Sequence, residues 1–323
     1  MIEEMDVSSC LSISTISSYR YSDDAVELKT LYVPKNHYVK LAIPSSTNVI
    51  QKEYWSDDDN TIIMGLDPYL KEALLTSTID NRSPSPKLDR NGDGEISIGE
   101  AKLVKTLDLG SSTYIKSLSG IEYFQNLESV NIGNNQWFSN HDKKGLLSDV
   151  DLSNNKQLVS ISLLGQAFET ISLPHSPSLK TISIHGCSLK TIDLSGVESL
   201  DRLEISYSNL SSLDVSNNSK LDYLQVNDNQ IIELTFGSHP SLEWLTISNN
   251  PIQHLDVDVS EFPMLYCLQC SNTGIVSLDV HSNTCLDILY CKSDCLETLY
   301  IFKNYYLSLS TFDCQSNTNI VIR

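Results

Sequence analysis

Residues 179–241 read LKTISIHGCSLKTIDLSGVES (179–199), LDRLEISYSNLSSLDVSNNSK (200–220) and LDYLQVNDNQIIELTFGSHPS (221–241). Set one under another, the three lines share a 21-residue frame that opens on Leu179, Leu200 and Leu221. Apolar residues recur at positions 4 and 6 (Ile182 and Ile184, Leu203 and Ile205, Leu224 and Val226), with polar residues between them. That alternation is the pattern of a short strand with one face buried. A second apolar set, as in Leu210, Leu213 and Val215, closes each coil. No single line could bury its own apolar face, whereas stacked lines make one continuous core. The expected fold is a solenoid with one parallel β-sheet along its concave side.

The frame extends in both directions. Units also begin at Leu158, Leu242, Leu265 (after a two-residue insertion), Leu286 and near Leu309. An earlier unit starts at Leu127, with extra residues around Gln136–Gly145, and a partial one spans 104–126. Position 9 holds Asn135, Gln166, Cys187, Ser208, Asn229, Asn250, Thr273, Asp294 and Asn317, side chains expected to bond the backbone where the chain turns. The last apolar residues, Ile320, Val321 and Ile322, are suited to seal the final coil.

This LxxLxLxxN form resembles the leucine-rich-repeat family. The segment IKSLSGIEYFQNLESVNIGNN (115–135) is similar to the opening of internalin-like bacterial surface repeats. The likeness covers roughly residues 65–323. It implies a horseshoe or superhelical solenoid that binds other proteins without catalysing a reaction, in a secreted or surface-anchored bacterial setting.

Between helix-forming DPYLKEALL and the first repeat lies LDRNGDGEISIGEA (88–101), which contains a complete twelve-residue loop of the EF-hand type. Calcium takes six to eight oxygen ligands. The loop offers Asp89, Asn91 and Asp93 at positions 1, 3 and 5, the Glu95 carbonyl at 7, Ser97 at 9 and the Glu100 carboxylate at 12; Gly94 at 6 allows the sharp turn. Asp67 is placed to cap the preceding helix, with Pro68 at its first position; an exit helix is expected near 98–105. Since the first coil of a solenoid has an exposed apolar end, the expected role of the ion is a structural staple in a helical cap. A calcium-responsive regulator is the alternative. The domain reading is a small β module over 1–64 (LSISTI, VELKTLYV and YVKLAI as its strands), the EF-hand-like cap over 65–103, and the repeats over 104–323.

A formal charge of −19 argues against the basic face that nucleic acid or an anionic membrane requires, and suits a solvated surface, cations or a basic protein partner. No apolar run approaches a membrane span. The acidic start lacks the features of a signal peptide, so the surface setting follows from the resemblance. Asp57–Asp58–Asp59 reads as a solvated loop. Cys270, Cys291 and Cys314 share position 6 and are expected to pack inward as free thiols; one disulfide among Cys285, Cys291 and Cys295 stays open. Asp193, Asp214, Asp256 and Asp279 share a later position and are expected to bond the following turn. Scattered histidines and missing catalytic motifs give no enzymatic reading. Position 3, by contrast, changes from Ser129, Ser160 and Thr181 to Arg202, Tyr223 and Trp244, then Cys267, Ile288 and Thr311. With Tyr266 and Tyr290 beside it, this row offers the residue types enriched at binding hot spots, unless lateral packing covers them. The candidate partner face is Arg202, Tyr223, Trp244, Tyr266 and Tyr290.

Overall fold

The computed structural model of the protein describes residues 4–6, 15–17, 30–34, 40–43, 47–52, 60–76, 88–90, 92–110, 114–134, 144–253, 255, 262–302 and 309–322. The chain divides into two compact units: residues 1–63 with 74–103, and residues 64–73 with 104–323.

The second unit is a parallel β-solenoid with coils of about 21 residues. Ten strands form one sheet in sequence order: Thr106–Leu109, Ser129–Gly133, Ser160–Leu164, Thr181–His185, Arg202–Ser206, Tyr223–Gln225, Trp244–Thr246, Cys267–Gln269, Ile288–Tyr290 and Thr311–Asp313. Every pairing is parallel and in frame, so Ser129, Ser160, Thr181, Arg202, Tyr223, Trp244, Cys267, Ile288 and Thr311 lie side by side. A slip of one residue would turn Leu203 and Ile205 outward, and both are fully buried. The second apolar set is also inside: Leu210, Leu213 and Val215 are at most 2% exposed. Short strands such as Ser212–Asp214 and Glu233–Thr235 pair on that side of the coil. The final strand, Asn319–Ile322, pairs with Thr298–Ile301.

Two buried polar rows tie coil to coil. Asn229 Nδ2 donates to the carbonyls of Ile205 (2.8 Å), Val226 and Asn227, while its Oδ1 accepts from Leu210 N. Asn250 repeats the arrangement one coil on, with Val226, Ile247 and Ser248 as acceptors and Ile231 N as donor. These bonds satisfy turn groups that would otherwise be orphaned inside the core. Asp294 and Asn317 depart from the expected position-9 row because both are exposed. Ser293, one residue before Asp294, and Thr318, one residue after Asn317, are buried instead, donating to Thr273 O and Leu296 O. Asn135 lies outside the described residues. The second row, Asn155, Ser176, Asn218, His239 and Asn283, is not anticipated by the reading of position 9. Asn155, for example, donates to the carbonyls of Ile121 and Phe124 in the preceding coil.

Just before position 9 the backbone turns left-handed. Gly165 and Gly186 do so at φ 62° and 64°, then Tyr207, Asp228, Asn249 and Asn272 at 53° to 58°. Asn and Asp tolerate this conformation through local side-chain bonding, whereas a tyrosine gains no such relief.

In the first unit, Glu4–Asp6, Thr30–Pro34 and Asn48–Lys52 form a parallel sheet, and Thr15–Ser17 pairs in parallel with Lys40–Ala42. Successive strands therefore alternate between two sheets, the same plan as a solenoid coil. Helix α1, Pro68–Thr76, starts as expected: Asp67 Oδ1 accepts from Tyr69 N and Leu70 N. Helix α2, Ile98–Lys102, is shorter than its expected span. Asp57–Asp59 and Asp256 lie outside the described residues. Asp193, Asp214 and Asp279 each accept from the backbone N–H two residues on, in Ser195, Ser216 and His281.

Candidate functional site

The register fixes what meets on the solvent side of the sheet. Because Arg202, Tyr223 and Trp244 are cross-strand neighbours, their side chains stack in order. The Arg202 guanidinium carbon lies 3.5 Å from the Tyr223 ring centre, and the Tyr223 and Trp244 rings stack at 5.8 Å with 14° between planes. Each is also tied to its own strand. Tyr223 Oη donates to Gln225 Oε1 (2.7 Å), Trp244 Nε1 donates to Thr246 Oγ1 (3.0 Å), and Arg202 Nε donates to Glu204. Glu204 also faces His185 Nε2 at 3.1 Å. Burial raises the Tyr223 hydroxyl pKa, and the Arg202 charge partly offsets this. The stack is thus pre-formed, with its polar tips satisfied, a state that lowers the ordering cost of a partner.

Tyr266 and Tyr290 stand elsewhere on the sheet. Tyr266 is 44% exposed at position 2, and its Oη donates to Asp287 Oδ2 (2.9 Å); that bond and the Asp287 charge raise its pKa. Tyr290 lies at position 5, beside Gln269 and Asp313. Cys267 interrupts the aromatic row: it is fully buried between Trp244 and Ile288, and burial pushes its thiol pKa up. The structure therefore brings Arg202, Tyr223 and Trp244 together and leaves Tyr266 and Tyr290 apart from them. At the end of these strands is a second linked group that the sequence reading passes over. Ser206 Oγ accepts from Gln225 and donates to Asn227 Oδ1, while Asn249 Nδ2 donates to Asp228 and Asn272 Nδ2 to Asn249. The signal for it is Tyr207, 50% exposed where the two preceding coils have glycine.

Within the loop that starts at Asp89, the carboxylates of Asp89, Asp93 and Glu100 turn toward the loop's own backbone. Asp89 accepts from Gly92 N (2.7 Å) and Gly94 N (3.2 Å), and Asp93 accepts from Glu95 N (2.8 Å). Gly92 and Gly94 adopt φ of 72° and 77°, values that need glycine. Glu100 is 3% exposed and closes a capping box: Oε2 accepts from Ser97 N and Oγ, and Oε1 accepts from Arg90 N. Ile96 is buried and pairs through its carbonyl with Ile63 N. Among the described residues no three His, Cys, Asp or Glu side chains converge as metal ligands, and Asn91 lies outside those residues. The seven described cysteines are free. Cys270 and Cys291 are buried as expected, and Cys314 is half-buried; burial raises the Cys270 thiol to about 12.

No protein-family model matches the chain, and no curated protein does. Solved structures do. The plant peptide hormone receptor RGFR1, in complex with RGF2, is 19% identical with a TM-score of 0.54, over 71% of this chain and 38% of that one. A TDR receptor is 18% identical with a TM-score of 0.51, over 70% and 41%. Internalin C2 of Listeria monocytogenes is 18% identical over 80% of this chain and 92% of that one, at a TM-score of 0.42. The functional domain of InlJ from the same species, described as including a cysteine ladder, has 19% identity and a TM-score of 0.38. This chain spans 56% of that domain's length. The first two likenesses establish the leucine-rich-repeat solenoid fold. No helix among the described residues is long and apolar enough to cross a membrane.

Proposed function

We propose that the protein is a non-enzymatic binding solenoid whose protein partner sits on the solvent face of the ten-stranded sheet, at Arg202, Tyr223 and Trp244, with Tyr266 and Tyr290 as outlying contacts. The pre-formed Arg202–Tyr223–Trp244 stack carries this reading, because ordered aromatic and arginine side chains are what hot spots are made of. Leucine-rich-repeat folds generally serve as non-catalytic binding domains. An extracellular or cell-surface setting accords with the internalin-like text of the repeats. The test is retention of partners from candidate surface extracts by wild type, Tyr223→Ala/Trp244→Ala and an off-face control, Ile232→Ser. A partner kept by wild type and control but lost by the double variant is expected; identical retention by all three sinks the reading.

Calcium is the proposed cofactor of the 89–100 loop, with Asp89, Asn91, Asp93, Glu100, the Glu95 carbonyl and Ser97 as its ligand set. The residue order and the glycine turn at Gly94 support it, and Glu100 Oε1 keeps a lone pair beyond its bond from Arg90. Bound only by the folded chain, the ion would stabilise it, by about 2.7 kcal/mol at a hundred times its Kd. A saturable rise in Tm with calcium, reduced in Asp93→Asn, is expected; no rise at millimolar calcium would remove the ion from the account. Calcium-dependent hydrogen exchange at Tyr223 and Trp244 would instead favour the alternative, a regulator gated by the ion.

A further inference from the structure

The repeats that carry the candidate face are acidic in sequence. Residues 201–302 contain fourteen Asp and Glu against three Lys and Arg. One residue ahead of the aromatic row, at the start of each strand, runs position 2, where Asp201, Asp222, Glu243, Tyr266 and Asp287 follow one another through backbone bonds from each N–H to the carbonyl before it. Strands lie ~4.8 Å apart, so carboxylates on adjacent strands repel unless a cation or donor offsets them. Asp201 has Lys180 at 3.1 Å, and Asp287 has Tyr266 and Ser310. The carboxylates of Asp222 and Glu243, both exposed residues, have no hydrogen-bond or ion-pair partner among the described residues. Arg202, in the row itself, is already matched by Glu204.

The stacking geometry narrows the chemistry further. One face of Tyr223 is taken by Arg202 and the other by Trp244. A partner therefore meets the edge of Tyr223, which carries the positive part of the aromatic quadrupole and does not attract a cation. Cationic heads would go to the carboxylates, with aliphatic stems lying along the ring edges. A second copy of this chain, at −19, would be repelled from such a surface.

Resting on the partner-face reading above, we propose that this face takes a lysine- or arginine-rich segment of a partner protein, with its cationic heads on Asp222 and Glu243 and its stems against Tyr223 and Trp244.

The probe is fluorescently labelled deca-lysine, measured by anisotropy against the full chain at low and moderate salt, with deca-glutamate as the negative peptide. Binding that weakens with salt is expected, with Asp222→Asn/Glu243→Gln raising Kd at least tenfold. Glu198→Gln/Glu233→Gln removes the same charge from exposed positions off this face and should change Kd less than twofold. Equal losses in both variants would mean attraction to net charge alone and overturn the proposal. So would calcium binding at these carboxylates without any binding of deca-lysine. The two readings separate through the retained partner. If Tyr223→Ala/Trp244→Ala abolishes its capture and Asp222→Asn/Glu243→Gln does not, the basic partner is overturned and the face stands. If neither variant affects capture, both fall.

Discussion

In the coils that begin at Leu158 and Leu179, the sheet presents Ser160, Ser162, Thr181 and Ser183 to solvent; in the next three it presents Arg202, Glu204, Tyr223, Gln225 and Trp244. The strands are in the same register and the inward residues are interchangeable aliphatics. The difference lies in side chains that the fold does not need. Large residues at position 3 cannot stand apart when strands are ~4.8 Å away, so they stack on one another. Small ones leave the sheet bare. The backbone thus sets the spacing, and the unburied positions are where a binding surface can be written.

Breaking the shared backbone should have the largest effect. Asn250→Ala leaves the Ile247 carbonyl and the Ile231 N–H without partners in the core, takes one of two donors from the Val226 carbonyl, and should cost about 2–3 kcal/mol in denaturant unfolding. A cost near zero would mean that the row is dispensable and the coils are held by apolar contacts alone. The left-handed position sharpens the contrast next. Gly186→Ala, at φ 64°, should cost about 1–2 kcal/mol. Gly186→Asn should cost less, since Asn249 and Asn272 occupy the same place three and four coils later.

His239 separates the regions by pH. It replaces Asn or Ser in the second buried row, is fully buried against Phe236 and Phe262, and burial lowers its pKa from 6.5. The unfolded chain then binds more protons below pH 6.5, so the stability present above that value is lost as pH falls toward the folded pKa. One proton limits the slope to about 1.4 kcal/mol per pH unit. His239→Asn should remove this component of the slope; an unchanged pH profile would assign it to other groups. The smallest effect belongs to the face itself. A double-mutant cycle between Arg202→Ala and Tyr223→Ala should give a coupling of about 0.5–1 kcal/mol, as for a partly exposed cation over a ring. Coupling indistinguishable from zero would mean that the stack is adventitious and the face is not pre-formed.

Much of this was legible in the text of the repeats. The frame of positions 3, 4, 5 and 6 matches the pairing of Thr181, Arg202 and Tyr223 residue for residue, because the inward Leu and Ile fix the register. What escaped depended on the turn. Nothing in the spacing distinguishes Ser293 from Asp294 until the backbone shows which one meets the Thr273 carbonyl. Cys267 occupies an outward position by count and is nevertheless covered, an outcome set by neighbouring side chains rather than by periodicity. The acidic loop was readable as a pattern, yet the pattern did not say that Glu100 would close on Ser97 and Arg90. Likewise, Tyr266 and Tyr290 share a composition with the aromatic row but not its position.

The buried asparagines have a consequence for how such a molecule can change over generations. Asn229 and Asn250 reach only their own coil and its immediate neighbours. A deletion or duplication of one whole frame therefore restores every bond at the new junction, whereas a loss of part of a frame strands carbonyls inside. Unequal recombination between repeats would then lengthen or shorten the protein in whole steps of one strand, sliding the serine coils and the aromatic coils past each other as intact blocks.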